Sequence, residues 1–406
     1  MRVLLSAYAC EPDRGSEPEV GWQRALHMLA FADEVWVLTR SNNQKVIEAN
    51  PLSHAAGLHF IYYDLPTWAL KLKKQTWFRS AYYTLWQWGA YRVAKSHHED
   101  NPFDIVYHVT FVSMRYGSFM GRLGIPFVIG PVAGGERAPI RLLRCIPLRY
   151  LAIELLRDLC ILLHRYNILA RQAYASAERI YVTTSESLRL IPPKWRSKVT
   201  VHLAIATQCD VAHKAARRRP EDLRFVFAGN LLPFKGVHLA IRALAEARSA
   251  IPIATLTLIG VGPSEGWLRA IARRYGVSHA VEFSGSLPRQ QFINSLHRYT
   301  ALVFPSLHES GGLVVMEALS EGIPVVCLDI GGPGVIVNES CGITVPVANA
   351  NEAQVVTCIA NSMVSIGMMS SSEYERLSMG ALARATELSW ARLTACIAAC
   401  ENRVSV

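Results

Sequence analysis

Residues 304–326 read Phe304-Pro-Ser-Leu-His-Glu-Ser-Gly-Gly-Leu-Val-Val-Met-Glu-Ala-Leu-Ser-Glu-Gly-Ile-Pro-Val-Val326. The apolar run Ala301–Phe304 stops at Pro305, the pair Gly311-Gly312 follows, and a helical pattern runs through Met316 and Ala318-Leu319. Gly322 and Pro324 end it before Val325-Val326-Cys327-Leu328. The stretch therefore reads as strand, glycine loop, helix and strand, the unit of an α/β sheet. A helix that starts right after a glycine pair aims its first free N–H groups beyond the strand end, which suits an anion. Glu309 in the loop and Glu317 in the helix bracket that point. Acids repel a phosphate but accept hydrogen bonds from hydroxyls, so the pair points to a nucleotide that carries a sugar. The plainer alternative is an ordinary strand–helix–strand unit with a surface glutamate.

Working outward, the 406 residues exceed one ordinary domain and suit two α/β domains with full cores. Hydrophobic residues make up 51% and charged ones 18%, a globular rather than a disordered composition. No uncharged apolar run reaches about 18 residues. The start, Met1-Arg-Val-Leu-Leu-Ser-Ala-Tyr-Ala, meets Glu11 and Asp13 at once and reads as a buried strand rather than an export signal. Nine cysteines, without a CxxC pair or a histidine at metal-finger spacing, predict reduced thiols, a cytoplasmic setting and no zinc site. The net charge of +10 calls for an anionic partner: nucleic acid, phospholipid or a phosphorylated substrate.

In the first half, residues 2–7, 34–39 and 58–63 read as successive strands of a doubly wound sheet. The Gly15-Ser16 turn follows the first of them, where such sheets hold ligands at the carboxyl ends of their strands; it is not a GxGxxG fingerprint. His108 lies near the end of the next strand, on the same edge, although a lone histidine is more often structural. Ser185 is the expected cap of a helix after the strand at Ile180. Between Leu65 and His98, Trp68, Trp77, Trp86 and Trp88 interleave with Lys71, Lys73, Lys74 and Arg79. Residues 137–171 set Arg141, Arg144, Arg149, Arg157 and Arg165 among leucines and isoleucines. Both stretches suit peripheral contact with an anionic membrane; the alternative is core aromatics with a solvated basic face.

Pro192-Pro193 and the basic run ending at Pro220 mark a boundary. The expected division is a first domain at 1–205, a linker at 206–222, a second domain at 223–388 and a closing helix at 389–406. The second domain has strands at 223–227, 254–259, 280–283, 301–304, 325–328 and 343–345. Gly229 and Asn230 follow its first strand and lead to Lys235 and Gly236 at a helix start, where a lysine can neutralise a diphosphate. Gly260-Val-Gly-Pro263 has the wrong spacing for a dinucleotide fingerprint, and its proline removes an amide.

The motifs Gly229-Asn-Leu-Leu-Pro-Phe-Lys-Gly, Leu258-Ile-Gly-Val-Gly-Pro and Phe283-Ser-Gly-Ser-Leu-Pro, and above all Pro305–Ala318 with its Glu-x7-Glu spacing, resemble the retaining GT-B glycosyltransferases of group 1, also called family 4. The resemblance spans nearly the whole chain and is specific from Leu223 to Val345. It implies an α/β, GT-B fold: two Rossmann-like doubly wound domains facing across a cleft, the first for the acceptor and the second for the nucleotide-sugar donor. By position, it makes Glu309 the catalytic acceptor of donor-sugar hydroxyl bonds and Glu317 the ribose ligand. The amides of Gly311, Gly312, Leu313 and Val314, with Lys235, would hold the diphosphate. Gly229, Asn230 and Ser310 complete the donor set, and Gly285, Ser286 and Leu287 would line the base. His108 would stand near the reacting sugar, and Gly15 and Ser16 near the phosphates and acceptor. There are two departures: Asn230 stands where the family usually has an arginine beside the lysine, and the Asn-Gly turn that often opens the linker is missing around Ala204–Ala206.

The function this implies is sugar transfer from a nucleotide-diphosphate donor to a glycan or polyprenyl-linked acceptor, with retention, in cell-surface polysaccharide synthesis. The chain has no Asp-x-Asp, and neither a metal nor a cofactor is expected. A sugar-nucleotide epimerase or phosphorylase of similar fold would instead turn over without an acceptor or depend on phosphate. A nucleic-acid-binding protein would explain the charge, but the basic residues cluster with leucine and tryptophan and no RNA-binding motif accompanies them.

Overall fold

The computed structural model describes residues 1–72, 79–207 and 215–402. Lys73, Lys74, Trp77, Phe78 and the linker residues 208–214 therefore lie outside the description, as do the side chains of Ser16, Lys71, Arg79 and Arg165. The chain forms two compact units. One comprises Met1–Gly135, Asp158–Ile205 and the residues from Trp390 on; the other comprises Glu136–Arg157 and Ala206–Ser389. Residues 136–157 fall inside the range read from sequence as the first domain, yet they pack with the second unit, because their acids bind its loop at His308 and Ser310.

The first unit holds a parallel seven-stranded sheet of β1 (Arg2–Ser6), β2 (Glu34–Thr39), β3 (Leu58–Tyr62), β4 (Ile105–His108), β5 (Phe127–Val132), β6 (Arg179–Val182) and β7 (Val199–Val201), in the order β3-β2-β1-β4-β5-β6-β7. Consecutive Val3, Leu4 and Leu5 are all fully buried, as they must be where both faces of a parallel sheet are covered. Its helices are α1 (Ser16–Met28), α2 (Gln44–Glu48), α3 (Thr67–Leu72), α4 (Arg79–Asp100), then α5 (Leu148–Leu163), which runs from one unit into the other, α6 (Ile168–Ser176) and α7 (Ser185–Leu190). In α4 the aromatics Tyr82, Tyr83 and Trp86 are core, while Leu85, Trp88, Arg92 and Lys95 are exposed. The cap of α7 is Thr184, whose hydroxyl accepts the Ser187 N–H at 3.2 Å, rather than Ser185, which is already the first helical residue.

The second unit is a parallel six-stranded sheet of β8 (Arg224–Ala228), β9 (Thr255–Ile259), β10 (Val281–Gly285), β11 (Ala301–Phe304), β12 (Val325–Leu328) and β13 (Gly342–Val345), in the order β10-β9-β8-β11-β12-β13. The order reverses between β8 and β11, which makes a crevice at their carboxyl ends. The helices are α8 (Val237–Ala247), α9 (Glu265–Arg274), α10 (Arg289–Ser295), α11 (Leu313–Ser320), α12 (Gly331–Ile336), α13 (Glu352–Met368) and α14 (Ser371–Glu387). Capping boxes at Asn351/Gln354 and Ser370/Glu373 start α13 and α14. The last helix, α15 (Trp390–Asn402), belongs to the first unit and packs on α1, where buried Arg24 lies 5.8 Å from the Trp390 ring.

Among the described residues no single helix is long and apolar enough to cross a membrane. The pair α13 and α14, bent by 114°, qualifies together by length and composition, but its apolar residues Val355, Ile359, Met363, Tyr374 and Ala381 are core.

Candidate functional site

The reversal point of the second sheet, between β8 and β11, brings Lys235 and Glu309 together. Gly236 closes a turn at Pro233–Lys235 with φ +69°, and a Cβ on it would lie 1.8 Å from the Pro305 carbonyl oxygen. Only glycine lets this loop press on the end of β11. That approach brings the Lys235 ammonium into an ion pair with the Glu309 carboxylate, both side chains mostly buried. Beneath them Phe227 stacks on Phe304 with ring centroids 5.7 Å apart. From the other side, the Gly332 N–H donates to the Glu309 carbonyl at 2.7 Å, and a Cβ on Gly331 would approach that oxygen to 2.4 Å. Glu309 is thus fixed through its main chain by α12 and through its carboxylate by Lys235.

Gly312, at φ +94°, is the N-cap of α11, and among the described residues no side chain caps that helix. In its first turn the N–H groups of Leu313 and Val314 have no acceptor within the helix. Glu317 is 9% exposed and accepts from Arg289 Nε at 2.6 Å. Burial pushes its carboxyl above the ordinary range, and Arg289 opposes that rise. Arg289 escaped the sequence reading, although it directly follows the Phe283–Pro288 motif. Gly285 accepts the Gly260 N–H at 2.7 Å. A cavity beside β10 takes Leu287 and Ser284 into its wall, but not Gly285 or Ser286. Gly229 and Asn230 are exposed after β8.

Residues 136–157 secure the same loop. The Ser310 hydroxyl donates to the Glu136 carboxylate. The Glu154 carboxylate lies 3.0 Å from His308 Nε2, at ion-pair distance though off the line of a good hydrogen bond, and accepts from Arg157 at 3.2 Å. Arg157 in turn donates to the Glu136 carbonyl. Burial alone would raise the Glu154 pKa, but His308 and Arg157 outweigh it and hold the carboxyl below its usual range. Both neighbours of Glu309 are therefore anchored by acids, Glu136 and Glu154.

The first unit has its own crevice at the carboxyl edge of β1. A cavity of about 430 Å³ is lined by Tyr8, Glu11, Arg14, Arg40, Tyr83 and Phe111, among others. Phe111 sits at φ +56°, uncommon for a side chain of that size, and is 40% exposed. Its N–H donates to Glu17, whose carboxyl burial pushes up. Gly15, at φ +69°, precedes α1, whose first residue is Ser16, and Gly15 does not line the cavity. His108 lies behind the wall. It is 2% exposed, with Nε2 at 3.2 Å from the Tyr83 hydroxyl and 2.9 Å from the Gln87 side-chain nitrogen. Burial lowers its pKa to about 4, so it is neutral at physiological pH and meets the cavity through Tyr83.

Residues 210–355 match the family model described as Glycosyl transferases group 1. The glycogen synthase of Mycobacterium tuberculosis is 40% identical over 132 residues, 32% of each protein. The D-inositol 3-phosphate glycosyltransferase of Acidothermus cellulolyticus is 36% identical over 166 residues, 38% of this chain and 35% of that protein. The chain thus spans about a third of the length of these curated relatives. The structure of Anabaena HepE in complex with UDP-glucose matches with a TM-score of 0.57 at 16% identity, covering 100% of both chains. With the two parallel sheets, that likeness makes the fold GT-B.

Proposed function

We propose that this chain, whose residues 210–355 match the model for group 1 of the glycosyl transferases, moves a sugar from a nucleotide-diphosphate donor to a hydroxyl acceptor. The observation that carries this reading is the Lys235–Glu309 ion pair set before the uncapped start of α11. A diphosphate competes with Glu309 for Lys235 and takes the amides of Gly311 to Val314. The carboxylate then has both oxygens for hydroxyls of the donor sugar. Glu317 accepts from the ribose, with Arg289 keeping the carboxylate in place. Leu287 stands beside the base.

Cleavage of the bond from the anomeric carbon to the diphosphate oxygen leaves its electron pair, and negative charge, on the diphosphate. Lys235 and the amides stabilise that charge, while Glu309 fixes the sugar ring. We assign retention: the departing phosphate oxygen takes the acceptor's proton on the face where the new bond forms. Anomeric NMR of the product showing inversion contradicts this. The charge is met by protein groups, so turnover in excess EDTA should equal turnover without it. The acceptor is a glycan or polyprenyl-linked sugar of cell-surface polysaccharide synthesis, used on the cytoplasmic side of a membrane. The aromatic walls Tyr8 and Phe111 suit a sugar ring, and His108 acts by positioning Tyr83.

UDP-glucose, the ligand bound in HepE, is the first donor to test. Turnover by the full chain, lowered about 10²–10³-fold by Lys235→Ala, is the expected result. Donor consumption without an acceptor, or dependence on inorganic phosphate, would favour the epimerase or phosphorylase reading instead.

A further inference from the structure

Helix α5 is amphipathic the wrong way round for a helix in water. Its buried side chains are Glu154, Asp158 and Ile161, with Arg157 half-buried beside the acids. Its exposed side chains are Leu148, Ile153, Leu155, Leu156, Leu159, Leu162 and Leu163, with Leu148 82% and Leu156 62% exposed. Leu148, Leu155, Leu159 and Leu163 lie at helical spacing and make one stripe, with Leu156 alongside. A soluble helix turns its apolar stripe inward, and this one turns its acids inward.

The charge around the stripe has one sign. Between residues 136 and 163 all the acids, Glu136, Glu154 and Asp158, are buried. The arginines Arg137, Arg141, Arg144 and Arg149 are exposed. Arg141 donates to the Asn349 carbonyl at 2.9 Å, which leaves Arg144 and Arg149 as the rim on either side of the helix start. A second copy of the chain seated here would set arginines against arginines, which opposes association. A surface of lipid phosphates over acyl chains complements both features.

We propose that the outward face of α5 seats in an anionic bilayer, its leucines at the boundary of headgroups and acyl chains and Arg144 and Arg149 on lipid phosphates. The inward face of the same helix holds His308 and, through Arg157 and Glu136, Ser310. The bilayer then lies about one helix diameter, roughly 10 Å, from the loop that carries Glu309. That placement, which rests on the donor reading of the loop, brings a lipid-borne acceptor to the donor sugar; the seating itself does not depend on it.

The test is co-sedimentation of the full chain with phosphatidylglycerol vesicles and with phosphatidylcholine vesicles. Binding at least about tenfold stronger to phosphatidylglycerol is expected, and either Leu155→Gln/Leu156→Gln/Leu159→Gln or Arg144→Glu/Arg149→Glu should weaken it about tenfold or more. The substituted side chains face outward, so the melting temperature should stay within about 2 °C of the parent. Should the triple variant melt early, Leu148→Glu carries the same test. No binding of the parent to phosphatidylglycerol, or undiminished binding by stably folded variants, overturns the proposal. So does a parent dimer that these leucine changes dissociate. UDP binding by calorimetry separates the two readings: vesicle binding without UDP binding supports this proposal and overturns only the donor assignment.

Discussion

Lys235 and Glu309 neutralise each other at the end of β11, and each has a role only if a ligand can part them. Asn230 leaves that place one cation short of the pattern the chain resembles. Asn230→Arg should therefore tighten UDP binding about tenfold, or ~1.4 kcal/mol, in calorimetry. Arg289→Ala removes the partner that opposes burial at Glu317, so NMR titration should show the Glu317 pKa rising further above the ordinary carboxylate range. Phe111 gives a backbone prediction. At φ +56° glycine is easier than alanine, so Phe111→Gly should be more stable than Phe111→Ala by about 1 kcal/mol in urea unfolding, the reverse of an ordinary position. The positions of Lys235, Glu309 and Glu317 after strand ends were readable from sequence because glycine turns mark where an α/β sheet presents side chains. Arg289, Glu136 and Glu154 were not, because each finds its partner across a loop whose path no local pattern specifies.

The strands and helices themselves followed from short apolar runs cut by glycine and proline, since a parallel strand covered on both faces needs little more. Where two neighbouring residues could both cap, as at Thr184 and Ser185, composition could not choose; backbone geometry gave the role to Thr184. In α4 Tyr82, Tyr83 and Trp86 went to the core while Trp88 stayed exposed, whereas in α5 most of the leucines stayed outside. Similar composition had two outcomes, decided by which face found buried partners. The turn at Gly236 shows how one element positions another. Gly236→Ala places a methyl against the Pro305 carbonyl at a left-handed residue, and should lower stability by more than about 1 kcal/mol in urea unfolding. It should also weaken UDP binding, because Lys235 precedes it directly.

Two doubly wound sheets, each with a crevice at its carboxyl edge, were foreseeable from the alternation of elements, but the allegiance of residues 136–157 was not. That segment leaves the first half of the chain to fasten the loop of the second, through acids visible only once the chain is folded. Both units bury neutral histidines. His108 and His202 are lowered to about 4 and His238 to about 3 by burial, from an ordinary 6.5. Between pH 6.5 and about 4 the unfolded chain binds protons that the folded chain refuses, so stability falls as pH falls through that window. The urea midpoint should accordingly drop steadily from pH 7 to about pH 4.5, with proton uptake on unfolding. The central claim is that Glu309 holds the donor sugar while other groups hold the nucleotide. It is tested most directly by measuring glucose transfer from UDP-glucose and UDP affinity together for Glu309→Gln, with Glu317→Ala as the companion that should weaken both. The account predicts a loss of transfer of about 10²-fold or more, with UDP affinity within about threefold of the parent. Normal transfer by Glu309→Gln would contradict it.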